Sequence, residues 1–261
     1  MTRMRKRDLL VAVLVVTALW QLAALALAKP VLPSPATVLR VLVRELPAGL
    51  ARHAAVSLAR VLGGVVLATA CAVPLGLLLA QSRLARRLLS PLVYLLYPVP
   101  KVVFVPIILL LFGVGDLPKV LLIALILFAQ ILVLVRDSAA AIRPELLTSV
   151  QALGAGPLAM MRFVYVPASL PAVLSALRQS VGTALAVLYI AELFATDWGL
   201  GYYIHLRGTT LMDFPAMYAG IVVMSLLGLG LFFGIDADER LLCPWRTSDG
   251  QGLSRSPSGQ R

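Results

Sequence analysis

Residues 117–135 read LPKVLLIALILFAQILVLV, an unbroken apolar run rich in Leu, Ala and Val. As a helix rising 1.5 Å per residue it spans a hydrocarbon layer of about 30 Å, which takes about 20 residues. A membrane β-strand would instead alternate strictly over about ten residues. Five further runs of the same kind flank it: Leu9 to Ala28, Ala54 to Ala80, Leu88 to Phe112, Ala168 to Ala195 and Ala216 to Ile235. Inside lipid every backbone polar group must be satisfied within the segment, so helices are the consistent reading. The expected fold class is therefore an all-α polytopic membrane protein with six transmembrane helices.

Composition agrees. Of 261 residues, 60% are hydrophobic and only 13% charged, against about 25% charged in soluble domains. This excludes a secreted disulfide domain, a Rossmann enzyme and a solvated nucleic-acid binder. The formal net charge of +11 is then expected in basic loops rather than in a nucleic-acid site. Cys71 and Cys243 lie in different segments without metal-ligand spacing, so neither a disulfide nor a metal site is expected.

The cations set the orientation. Arg3, Arg5, Lys6 and Arg7, then Arg83, Arg86 and Arg87, then Arg136, Arg143 and Arg162, and finally Arg240, Arg246, Arg255 and Arg261 fall on one side, fourteen in all. The other side holds Lys29, Arg40, Arg44, Arg52, Lys119 and Arg207. The richer side is expected to be cytoplasmic, with residues 1–8 and a disordered tail at 247–261 both on it. The basic start and Ala26-Leu27-Ala28 resemble a signal peptide. The first run exceeds the roughly 7–15 residues of a signal core and no soluble domain follows, so it is read as a retained helix. After it, Ser34 is an expected N-cap with Pro35 at the first helical position. Val38, Leu39, Leu42 and Leu46 form the apolar face of a short outer helix that Pro47 is expected to stop.

The longest polar connection on the cytoplasmic side, residues 136–167, reads as helix, turn, helix. Ser138 to Gln151 favours helix. Gly154-Ala155-Gly156-Pro157 forces a turn, and Leu158 to Val166 resumes until Pro167 interrupts. A bent helix pair protruding from a membrane suits docking.

The order Gln151-Ala152-Leu153-Gly154-Ala155, then Phe163-Val164-Tyr165-Val166-Pro167, then Leu170-Pro171 resembles the coupling loop of permease subunits of type I ABC importers. Where that family has Glu-Ala-Ala, this chain has Thr148, Ser149 and Val150, with the nearest acid at Glu145. Leu32-Pro33-Ser34-Pro35, Phe112-Gly113-Val114-Gly115, Ala191-Glu192-Leu193 and Gly199-Leu200-Gly201-Tyr202 resemble the nitrate, sulfonate, taurine and bicarbonate group. The resemblance implies a type I importer permease fold over residues 9–246. Its implied partners are two ABC ATPase subunits, an extracytoplasmic solute-binding protein and a second permease copy. It implies ATPase coupling through Thr148, Ala152, Gly154, Ala155, Gly156, Phe163 and Pro167.

A phosphate-binding loop needs G-x-x-x-x-G-K-[ST], and Gly113 to Lys119 lacks both the second Gly and the hydroxyl residue. The chain is accordingly read as a non-enzyme with no cofactor of its own, ATP and Mg being held by the partner ATPase. No acid, base and nucleophile set appears, and His53 and His205 are expected at the surface. Charges inside spans cost roughly 2.5–3.5 kcal/mol each on insertion scales, so Lys101, Arg178 and Glu192 are the candidate pathway residues. Lys101 follows Pro98 and Pro100, which break the third run. Arg178 and Glu192 share a helical face but sit about 21 Å apart in height. A self-sufficient carrier would show half-chain symmetry or a charged relay, and a membrane enzyme a catalytic constellation; neither is visible. The buried cations favour a small anion such as a sulfonate, taurine or nitrate, while relatives of the group also carry neutral heterocycles such as thiamine precursors.

The topology is open to thiol labelling of intact cells. A cysteine at Ser254 is expected to be shielded from an impermeant reagent and one at Thr209 to react; the reverse pattern overturns the orientation.

Overall fold

The computed structural model describes residues 6–96, 99–194 and 196–244. Among these there is helix and no strand. In chain order the helices are α1 (Lys6–Leu27), α2 (Pro35–Glu45), α3 (Ala51–Gln81), α4 (Arg83–Leu96), α5 (Val105–Phe112), α6 (Asp116–Ala140), α7 (Pro144–Ala152), α8 (Pro157–Met160), α9 (Val166–Ala191), α10 (Leu200–His205) and α11 (Phe214–Leu242). A 3-10 turn, Lys101–Phe104, leads into α5, and wide turns of the π type occupy Leu46–Leu50, Met161–Tyr165 and Leu206–Thr210.

Among the described residues, five stretches are long and apolar enough to cross a membrane: Leu10–Leu27, Pro35–Gln81, Asp116–Ala140, Pro157–Ala191 and Phe214–Leu242. The expected third span, 88–112, differs: it is described as two pieces, α4 and the segment Lys101–Phe112, with Val99 and Pro100 outside any helix just before the second. Pro100 is extended (φ −67°, ψ 92°) before the 3-10 turn, its φ set by the ring. Pro98, the expected N-terminal Arg3 and Arg5, and the expected tail at 247–261 lie outside the described residues.

The chain divides into two units, Met1–Ala59 with Tyr189–Leu227, and Arg60–Leu188 with Gly228–Arg261. In the first, Val38, Leu50, Leu200, Tyr203, Ala216 and Ala219 form a buried cluster, with Trp20, Val41, Leu42 and Tyr218 packed against it. Trp20 donates its indole N–H to the Pro33 carbonyl at 3.1 Å, which anchors α1; most of its other large apolar side chains are exposed, a surface suited to hydrocarbon. Ser34 caps α2 as expected, its hydroxyl accepting from the Thr37 N–H at 3.3 Å with Pro35 next in sequence. α2 ends at Glu45 with Leu46 as its C-cap, just before Pro47 as expected, and the chain kinks two residues later at Gly49 (φ +140°). Leu39 and Leu46 are exposed, and the inward face instead carries Val38, Val41, Leu42 and the charged Glu45.

In the second unit α3 and α6 lie backbone to backbone. Gly64, Ala68, Ala72 and Gly76 recur every fourth residue on one face of α3, and small residues let membrane helices approach closely. A Cβ at Gly64 would sit 2.5 Å from Ile123 Cγ2, and one at Gly76 3.0 Å from Val135 Cγ1. Both sequences advance together, so the helices run parallel.

The segment 136–167 departs from its expected outline twice. The helix expected over Ser138 to Gln151 is divided: α6 ends at Ala140, and Arg143 is extended (ψ 128°) because Pro144, the first residue of α7, disfavours a helical neighbour before it. Pro167 does not interrupt the second arm. It is the second residue of α9, and the wide turn at Met161–Tyr165 shifts the hydrogen-bond register just ahead of it.

Adding one methyl at Gly64 therefore tests the α3–α6 contact. Gly64→Ala is expected to destabilise by about 1–3 kcal/mol and lower the melting temperature in detergent. Gly63→Ala, whose Cβ would rest 3.5 Å from Val120, is expected to leave it within a degree or two.

Candidate functional site

The segment from α7 to α9 has the shape of a docking element. Pro144 starts α7, and Thr148 and Ser149 fold their hydroxyls back onto the carbonyls of Pro144 (3.0 Å) and Glu145 (2.8 Å). At the end of α7, Gly154 turns the chain with φ +84°, a value that side chains with a Cβ rarely adopt. The turn holds large apolar groups out: Leu153 is 87%, Leu158 82% and Phe163 70% exposed. Thr148, Ala152, Gly154 and Gly156 are exposed beside them, while Ala155 and Pro167 are half-buried. On the opposite side, Gln81 Nε2 at the end of α3 contacts Met161 Sδ at 3.2 Å, fixing the base of the arm. Sequence reasoning placed the turn but not Leu153 and Leu158 as its most exposed apolar groups; two leucines flanking a Gly-Ala-Gly-Pro turn were the available signal.

The three expected pathway charges have separate neighbourhoods. Lys101 lines a cavity of about 230 Å³ with Val102, Ile126, Ala129 and Gln130. Arg178 is paired with two carboxylates one turn apart on α11, Asp236 at 3.1 Å and Glu239 at 2.8 Å.

Glu192, one residue beyond α9 and 0% exposed, anchors a loop in the first unit. Ser57 of α3 donates to its carboxylate (2.8 Å to Oε1), and the Gly201 N–H donates to Oε2 at 2.8 Å. Ser57 Oγ in turn accepts the Leu200 N–H at 2.8 Å, and His53 Nδ1 accepts the Gly199 N–H at 3.0 Å. The start of α10 is thus held by side chains on one face of α3. Gly199 has φ +130°, and a Cβ there would run into the Glu192 carboxylate, so the close approach requires glycine. His53 is consequently not the surface residue expected: it is half-buried against the rings of Trp198, Tyr202 and Tyr203. His205 is exposed, as expected.

Three charges escaped the sequence reading. Arg60, buried within α3, pairs with Asp116 at 2.6 Å; an arginine inside an apolar run was its signal. Lys119, assigned to an outer loop, is 1% exposed and donates to the Gly115 carbonyl at 2.8 Å. Glu45 accepts from Arg207 (2.8 Å) and the Tyr203 hydroxyl (3.3 Å). Burial first, and then the Glu45 carboxylate, push the Tyr203 phenol up to about 12.

A family model described as the inner membrane component of binding-protein-dependent transport systems matches residues 72–240. The chain belongs to this family. The permease is similar to the taurine transport system permease protein TauC of Escherichia coli strain K12, 32% identical over 88% of this chain and 86% of that protein. It is also similar to the formylaminopyrimidine transport permease protein ThiX of Halalkalibacterium halodurans, 28% identical over 89% of this chain and 93% of that protein. Among solved structures, a chain of the MetNI methionine ABC transporter in an inward-facing conformation superposes with a TM-score of 0.65 at 20% identity, covering 76% of the permease and 97% of that chain. The fold is that of a type I ABC importer permease. Family membership makes the permease a multi-pass membrane component that works with a separate ATP-hydrolysing subunit and a solute-binding protein. The matched residues include Lys101, the α7–α9 turn, Arg178 and Glu192.

Glu192→Ala leaves the Gly201 N–H and the Ser57 hydroxyl without their acceptor, and an unsatisfied buried group costs about 1–3 kcal/mol. The variant is expected to lower the melting temperature of the solubilised permease. Glu192→Gln, which keeps one acceptor oxygen, should lower it less. Gly199→Ala, with both backbone strain and a steric clash, should be at least as damaging as Glu192→Ala; a neutral outcome would show that this loop is not clamped.

Proposed function

We propose that the permease, paired with a second copy, forms the translocation pathway of an ATP-driven importer for a small organic anion of the sulfonate type. The solute is delivered from outside by a binding protein. In this reading both termini are cytoplasmic, and the turn at Gly154 seats in a cleft of the ATPase, which holds ATP and Mg. The observation that carries it is the exposed apolar tip: Leu153 and Leu158 project from a stiff turn whose base is fixed to α3, and such a patch calls for a protein partner. The departure from the family's acidic start fits, because Thr148 and Ser149 spend their hydroxyls within α7. Docking therefore rests on apolar contact rather than on a carboxylate.

The sulfonate assignment draws on the transport function named for TauC and on Lys101 facing a cavity. The name of ThiX favours a second reading, a neutral pyrimidine-like heterocycle. Uptake into cells by the complete transporter, with radiolabelled taurine against a labelled formylaminopyrimidine, separates the two.

Docking is tested at the two glycines of the turn. Neither has any atom within 4 Å of an added Cβ, so a large side chain meets nothing in this chain. Gly156 has an ordinary φ of −75°, and Gly156→Trp adds bulk without backbone strain. Gly156→Trp and Gly154→Trp are both expected to insert normally and to reduce ATP-driven uptake by roughly tenfold or more, as loss of an interface anchor does. Wild-type uptake by both would remove the turn from the ATPase interface.

A further inference from the structure

The short helix α2 turns two chemically different flanks outward. Its inward face is set: Val38 is buried in the cluster with Leu50, Leu200 and Tyr203, and Glu45 accepts from Arg207 at 2.8 Å, which holds the rotation of the helix about its axis. At about 100° per residue, Leu39, Val43 and the C-cap Leu46 fall within about 60° of one another, Arg40 and Arg44 within about 40°, and the two flanks are centred about 110° apart. Leu39 is 59%, Val43 68% and Leu46 44% exposed. Arg40 and Arg44 are exposed as well. A helix in water has no use for the first flank and a helix in hydrocarbon none for the second, whereas the boundary between acyl chains and headgroups accommodates both. The depth agrees. The Trp20 indole donates to the Pro33 carbonyl, and Trp20 lies seven residues, or about 10 Å, before the end of the apolar helix α1 at Leu27. That places the start of α2 just inside the end of a span, where interfacial helices sit about 5–10 Å into the boundary.

We propose that α2 is an interfacial helix that binds an anionic phospholipid, with Leu39, Val43 and Leu46 against its acyl chains and Arg40 and Arg44 on its headgroup phosphate. The occupant follows from the two flanks together. A guanidinium fork matches a phosphate, and in a phospholipid the acyl chains that suit the apolar flank are part of the same molecule. A free phosphate supplies only the first. An anionic headgroup is favoured over a zwitterionic one because it carries no cation of its own beside the phosphate. Arg44 also gives one of its five N–H groups to Glu45 at 3.1 Å, so Arg40 is the residue on which the test turns. The contact extends inward from there. Glu45 is joined to Arg207, Arg207 to Asp213 at 3.2 Å, and Asp213 accepts the Ala216 N–H in the first turn of α11. A lipid seated on α2 therefore bears on how the last helix begins. The proposal is independent of which solute is carried.

The test uses the complete transporter in nanodiscs. Val43→Cys, in a complex with no other reactive cysteine, carries a bimane reporter, and phosphatidylcholine or phosphatidylglycerol with a nitroxide on the acyl chain is mixed into the bilayer as quencher. Both lipids are expected to quench the reporter. Phosphatidylglycerol should do so with roughly fivefold or more the apparent affinity of phosphatidylcholine, about the effect of one cation at an anionic surface. Arg40→Gln is expected to lower that preference by roughly fivefold and Arg40→Lys to keep most of it. Quenching by phosphatidylcholine should be the same in both variants as in the parent complex, which shows that α2 is still seated. A reporter quenched by neither lipid means that protein covers this face, and quenching that disappears when the solute-binding protein is added assigns the face to that partner; either result overturns the proposal. Equal quenching by the two lipids in the parent complex, or a preference that Arg40→Gln leaves intact, overturns it as well.

Discussion

An ionised group in a low-dielectric layer must be met by a partner from within the protein, and this requirement organises the permease. Each unit has its own solution. In the first, the Glu192 carboxylate collects a serine hydroxyl and a backbone N–H, so the start of α10 is fixed against α3. In the second, Arg60 is neutralised by Asp116, and Arg178 by Asp236 and Glu239. Removing one member of such a set costs more than the set contributes, because the survivor stays desolvated. The apolar packing around them is correspondingly tight where backbones meet, as at Gly64 and Gly76.

The helical class and the long apolar stretches were legible because they depend on run length and composition, which are local. So was the Ser34 cap, which needs only its neighbours. The turn at Gly154 was legible for the same reason. The errors cluster at prolines. Pro167 reads as a stop, but it falls just after a one-residue change of helical register that removes the penalty. Pro144 was overlooked as a start, and it divides what looked like a single helix.

The site was less legible than the fold, again for a physical reason. That Glu192 was out of place in an apolar run could be read directly. That its partner is Ser57, 135 residues away, could not, since one sequence carries no record of which distant faces meet. His53 illustrates the same limit: a histidine near a span edge reads as solvated until Gly199 and three aromatic rings are brought to it. Lys101 was singled out by its position after two prolines, but the facing amide of Gln130 lies on another helix and gave no local sign.

The pairing of Arg178 with α11 bears on how the chain is made. Helix α9 brings one positive charge, and Asp236 and Glu239 lie 58 and 61 residues further along. While the chain is emerging from the ribosome, α9 is complete well before those carboxylates exist. Until α11 arrives, Arg178 lacks its two carboxylates. A chain cut short before α11 would retain on α9 a cation without these two carboxylates, at the cost of an uncompensated charge. The same contact that pairs the two helices therefore also makes the seating of α9 depend on α11.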